Sequence, residues 1–155
     1  MSFFKWFRKA PKLREKDALR LAALAEPAVY AESLQHQRFV VVDLETSGLN
    51  TLKDKILSIG AVTIADGGIA LGDQFGCTLR RANHAVSESV LIHQIPPSEV
   101  AAGMRPAKAL LDFMEYVGGS PLVAFHASFD QRMLIRELDD AFSYHLRHKF
   151  FDVAE

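Results

Sequence analysis

Phe39-Val40-Val41-Val42 is an unbroken run of β-branched and aromatic side chains, and two acids, Asp43 and Glu45, follow directly after it. A run without polar alternation reads as a strand buried on both faces. Residues i and i+2 of a strand point to the same side. The two acids therefore project together at the strand's carboxyl end, where open sheets border ligand crevices. Two carboxylates in such a place are costly unless something cationic compensates them. A pair of divalent metals is the natural compensation, and hard oxygen donors suit Mg2+ or Mn2+. Taken alone, Asp-Leu-Glu after a strand is equally compatible with a solvated turn.

The rest of the chain supplies neighbours for that strand. Gly48 marks a turn, 56–64 reads as a second strand, Ala65-Asp66-Gly67-Gly68 as a hairpin turn, and 69–79 as a third strand. Residues 80–105 read as irregular, with Pro96, Pro97 and Pro106 limiting helix. Leu110, Leu111, Phe113, Met114 and Val117 give 107–117 the spacing of an amphipathic helix, which Gly118-Gly119-Ser120 stops. A short strand at 121–125, a helix from 127 to 138 and the start of a further strand at 149–153 follow. Two hairpin-linked strands on one side, and a parallel strand on the other through a helical crossover, make an α/β mixed sheet flanked by helices. That is the layout of the ribonuclease H-like fold. It brings Asp130, in the first turns of the helix after 121–125, beside Asp43 and Glu45. An acid there is also favoured by the helix dipole alone, and the two readings are compatible.

Residues 1–37 read as a basic and aromatic helical extension on a body spanning 38–155. Residues 1–20 carry seven Lys/Arg against two acids, so +5 there leaves −6 for the remainder of a chain whose net charge is −1. Phe3, Phe4, Trp6 and Phe7 lie among the basic residues, and a helix over 12–25 should end before Pro27. Such an arm can lie on a membrane surface, dock on a partner or fold back on the body. Cys77 is the only cysteine, which rules out an internal disulfide and suits a reducing compartment. The absence of any long apolar run argues against a spanning helix, and the placement this implies is cytoplasmic. Lys53, Lys55, Arg80 and Arg81 are candidate cations for a polyanion, or solvated surface charges.

Asp43-Leu44-Glu45-Thr46-Ser47-Gly48-Leu49 resembles the first motif of the DEDD-type 3′–5′ exonucleases, and Val123-Ala-Phe-His-Ala-Ser-Phe-Asp130 resembles their second. Ile59-Gly60-Ala61-Val62 and Val90-Leu-Ile-His93-Gln-Ile95 match in order and spacing. The resemblance covers 38–155 and is nearest to the proofreading epsilon subunits of bacterial DNA polymerase III and their stand-alone relatives. It implies that Asp43, Glu45 and Asp130 are catalytic metal ligands for a two-metal site of Mg2+ or Mn2+. It further implies that Thr46 helps hold the 3′ end, that Leu49 wedges against the terminal base, that Glu88 contacts the terminal sugar and that His93 lines the pocket. Leu49 is also compatible with ordinary packing, Glu88 with a solvated loop acid and His93 with a satisfied loop histidine. The partners implied are a single-stranded nucleic acid 3′ end and a DNA polymerase subunit.

Two departures bear on substrate. Histidine stands at 126 where the family usually has Asn, and Phe125 where it has His. Phe125 can stack on a base, and His126 can contact a phosphate or pack. The family's remaining motif, His-x4-Asp or Tyr-x3-Asp, supplies the general base. None of the six histidines or three tyrosines has an Asp at that spacing. The expectation is a C-terminally truncated exonuclease domain in which Asp152 belongs to the strand before the missing motif. Two other functions are weighed against an exonuclease. One is a non-catalytic nucleic-acid or polymerase binding module on the same fold. The other is a haloacid-dehalogenase-like phosphatase, which would want Asp at 45 and leaves 125–130 unexplained.

Overall fold

The structure is a computed structural model that describes residues 10–28, 33–82 and 94–154. Its described elements in chain order are α1 (Glu15–Ala22), a 3-10 turn (Leu34–His36), β1 (Phe39–Thr46), β2 (Ile56–Ala65), β3 (Gly68–Thr78), α2 (Pro97–Ala102), α3 (Pro106–Val117), β4 (Leu122–Ala124), α4 (Ala127–Phe142) and β5 (Phe150–Asp152). The strands form one mixed sheet in the order β3-β2-β1-β4-β5. β1 pairs antiparallel with β2 and parallel with β4, with Val40 opposite Leu122. The β2–β3 hairpin turns through Asp66 and Gly67, both at positive φ, as the two-residue turn requires.

Several boundaries differ from the sequence reading. β1 runs on to Thr46, so Asp43 and Glu45 lie within the strand rather than after it. It is also not sealed on both faces: Val40, Val42 and Leu44 are buried, whereas Phe39, Val41 and Glu45 are half-buried and Asp43 is exposed. α2 lies inside the stretch read as irregular. Pro97 opens it, since a proline costs nothing at a helix's first position, where its missing N–H has no intrahelical partner. α4 continues a turn beyond Leu138, to Phe142, and closes on Ser143 in a left-handed conformation. α1 stops at Ala22, short of Pro27.

One apolar cluster unites the buried face of β1 and β2 (Val40, Val42, Leu44, Ile56, Ile59) with α3 (Leu110, Leu111, Phe113, Met114) and α4 (Met133, Leu134, Leu138). Arg38, just ahead of β1, locks the layers together. It donates to the carbonyls of Tyr116 and Val117 and to the hydroxyls of Ser120 and Thr63. α1 packs on α3: Arg20 grips Glu115 at 2.7 and 2.8 Å and Asp112 at 2.5 Å, and Arg105 holds Asp17 at 2.8 Å. Of the placements open to the N-terminal extension, residues 13–24 take the one against the body, through Leu13, Leu21 and Leu24.

Candidate active site

β1 and α4 build the site. Alternation along β1 sends Val42 and Leu44 into the core and leaves Asp43 and Glu45 on the opposite face. Asp43 pairs across to Gly60, and Gly60 to Gly76, so the sheet surface beside it bears no side chain for two strands. Parallel pairing of β4 with β1 then delivers α4. Asp130, in its first turns, is buried, and the Leu44 N–H, between the two β1 acids, favours the charged form of its carboxyl.

Burial, and then the charge of Asp43, push the Asp130 carboxyl up to about 6, with Asp152 adding to the effect. Among the described residues no Lys or Arg forms an ion pair with Asp43, Glu45 or Asp130. Acids of one sign, gathered in part out of water with no protein cation, fit a hard divalent cation by donor type and charge. Among the described residues no three His, Cys, Asp or Glu side chains are already drawn together around one point. The fit therefore rests on chemistry and charge.

The β1–β2 loop is organised by Asp54. Its carboxylate accepts from Ser47 Oγ at 3.1 Å and from the Asn50 N–H at 2.7 Å. A Cβ at Gly48 would stand 2.6 Å from Asp54 Oδ2, so any side chain there would displace the carboxylate that organises the loop. Arg136 of α4 donates to the Asp54 carbonyl and ties the loop to the helix. Thr46 Oγ1 donates to the Gly48 carbonyl at 2.9 Å. Leu49 and Leu52 are both 86% exposed. Leu49 is thus not packing in a core, and Leu52 is an apolar neighbour that the sequence did not single out.

At the other rim, Phe125 is exposed and meets the His126 ring edge-on at 4.4 Å. His126 adopts a left-handed conformation (φ 55°, ψ 50°) and begins α4. Asp152, unassigned from sequence beyond its strand, accepts from the N–H groups of His126 at 3.0 Å, Ala127 at 2.9 Å and Ala154 at 2.9 Å. These hydrogen bonds, with Ala154 foremost, hold its carboxyl below the usual range. Its only sequence signal is residue type, since Asp caps helices, but this helix begins 25 residues upstream.

Glu88 and His93 lie outside the described residues. Of the candidate cations, Arg81 is internal: it pairs with buried Glu137 of α4 at 2.9 Å and donates to the Ile56 carbonyl. Arg80 donates to the Gly103 carbonyl, Lys55 lies 3.8 Å from Asp140, and Lys53 is exposed.

Residues 40–155 match the family model described as Exonuclease. The DNA polymerase III subunit epsilon of Treponema pallidum is 34% identical over 119 residues, which cover 76% of this chain and 54% of that protein. A PolC-type DNA polymerase III of Thermotoga petrophila is 31% identical over 118 residues, covering 74% of this chain and 8% of that one. The chain thus spans about half the length of one relative and under a tenth of the other. Among solved structures, a metal-free complex of E. coli exonuclease I with single-stranded DNA superposes with a TM-score of 0.67 at 17% identity, covering 77% of this chain and 28% of that one. That likeness establishes the ribonuclease H-like fold. The chain belongs to the DEDD-type exonuclease family. Members of that family normally use divalent metals. Among the described residues, no helix is long and apolar enough to cross a membrane.

Proposed function

We propose that this chain carries the acid core of a 3′–5′ exonuclease, hydrolysing the terminal phosphodiester of a single-stranded nucleic acid and releasing 5′-monophosphates. The observation that carries the reading is Asp130, 87 residues from Asp43 in sequence, buried against β1 where the charge of Asp43 reaches it. Asp43, Glu45 and Asp130 are the residues that would hold Mg2+ or Mn2+. A pair of such ions, when bound, offsets charge on the attacking and leaving oxygens. The buried hydroxyl of Thr46 gives its proton to Gly48 and so offers lone pairs, the complement of a 3′-OH donor. Leu49 and Leu52 present apolar surface to the terminal base, and Phe125 with His126 presents ring surface to a base further along.

In this reading 38–155 is the exonuclease domain and 1–37 an extension. The protein works in the cytoplasm, and beside a DNA polymerase subunit of the kind its relative's name gives. The test is a 5′-labelled single-stranded DNA, with a matching RNA, incubated with Mn2+. The expected outcome is a ladder shortening from the 3′ end, abolished by EDTA and by Asp43→Ala. Silence from both this chain and the whole gene's product would instead leave a non-catalytic binding module.

A further inference from the structure

We propose that Asp152 is a positioning residue for Asp130, fixing from a neighbouring strand the point at which α4 starts. It rests on the reading of Asp43 and Asp130 as metal ligands. The parallel β4–β5 pairing sets Ala124 opposite Asp152, and the Val153 N–H donates to the Ala124 carbonyl at 3.1 Å. From there the two carboxylate oxygens of Asp152 divide the turn between them. Oδ1 takes the His126 N–H at 3.0 Å and Oδ2 the Ala127 N–H at 2.9 Å. Two adjacent N–H groups held by one rigid fork leave the turn a single orientation.

That turn needs holding, because His126 is left-handed, a conformation most side chains avoid. Asp130 lies three residues beyond Ala127, within the turn of helix this fork anchors, and its carboxylate must arrive at the Leu44 N–H of β1. The Asp152 charge itself works against Asp130, adding to the rise of its carboxyl. What Asp152 contributes to Asp130 is therefore geometry. The fork also occupies the N–H groups of His126 and Ala127 at the start of α4.

The test is Mn2+ binding, read by the loss of the free-ion electron paramagnetic resonance signal, on the whole chain and three variants. Asp152→Ala should weaken binding on the order of tenfold, the scale seen when supports of metal ligands are removed. Asp152→Asn keeps one acceptor but turns an NH2 toward the other N–H, so it breaks half of the fork and should bind with an affinity between wild type and Asp152→Ala. Wild-type affinity in Asp152→Ala would overturn the proposal. So would wild-type affinity in the Asn variant, which lacks the second acceptor of the fork. Asp43→Ala separates the two levels: if it binds Mn2+ undiminished, the acid-site reading itself fails. If it loses binding while Asp152→Ala does not, only the role of Asp152 fails.

Discussion

Asp130 and Glu137 sit two turns apart on α4, both buried, and their surroundings are opposite. Glu137 is answered from all sides by the protein: Arg81 at 2.9 Å, Arg136 at 3.8 Å and the Ile56 N–H at 3.2 Å. Asp130 faces Asp43 and Asp152, and among the described residues only backbone N–H groups, its own and that of Leu44, answer it. One acid closes a structural network that ties α4 to the start of β2. The other holds charge that the described protein leaves uncompensated. A buried acid with its arginine is architecture, and one facing further acids is a place for a ligand cation.

The contrast can be broken at the Glu137 end with the largest effect on stability. Arg81→Leu strands a buried carboxylate and should cost about 3 kcal/mol in urea unfolding. Arg136 softens the loss only in part, because it stands 3.8 Å away. Cleavage by any folded remainder should persist. At the Asp130 end the sign reverses. Asp130→Asn keeps an acceptor for the Leu44 N–H and removes a repelled charge. It should stabilise the metal-free chain at pH 7.5 by about 1 kcal/mol, less than full linkage because solvent screens part of the field, while abolishing cleavage.

The pH dependence follows from the same group. The folded carboxyl is pushed up to about 6, while an unfolded one titrates at about 3.9. Between those values the native state holds more protons, so Asp130's contribution rises as pH falls from 7 toward 4 and is lost as pH climbs through 6. Thermal melts of Asp130→Asn should lack this increment, and equal slopes in the two proteins would contradict the assignment. The smallest effect sharpens the comparison at the helix start. His126→Asn should change stability by under about 0.5 kcal/mol, whereas His126→Val should lose about 1–2 kcal/mol.

What the sequence revealed was periodic or local. The strand at β1, the Asp66-Gly67 turn and the strand-to-helix passage into Asp130 were all legible, because each is written in consecutive residues; the one-sided burial of β1 was not, because Phe39 to Val42 are apolar throughout. Helix ends were less so: α4 outran its reading because the half-buried polar pair Asp139-Asp140 interrupts the apolar pattern before Phe142, whose buried ring belongs to the last turn. α2 was missed because prolines were read as breakers where one is an initiator. The features wholly invisible join residues far apart. Arg81 with Glu137 and Asp152 with Ala127 pair across 56 and 25 residues, and no spacing rule announces them. Arg81, read as a cation for nucleic acid or a solvated surface charge, is instead the half-buried partner of a buried acid.

Position 126 shows how a backbone filters side chains before chemistry selects among them. A left-handed turn favours a short alphabet, Gly first, then Asn, Asp and His, although Ser143 adopts it as well. The family's usual Asn and this chain's His are both letters of it, so the exchange leaves the path of the chain alone. Histidine is the one letter of the four that carries a ring. A chain that must turn left-handed at this point and also set an aromatic edge against Phe125 has a single residue that meets both demands.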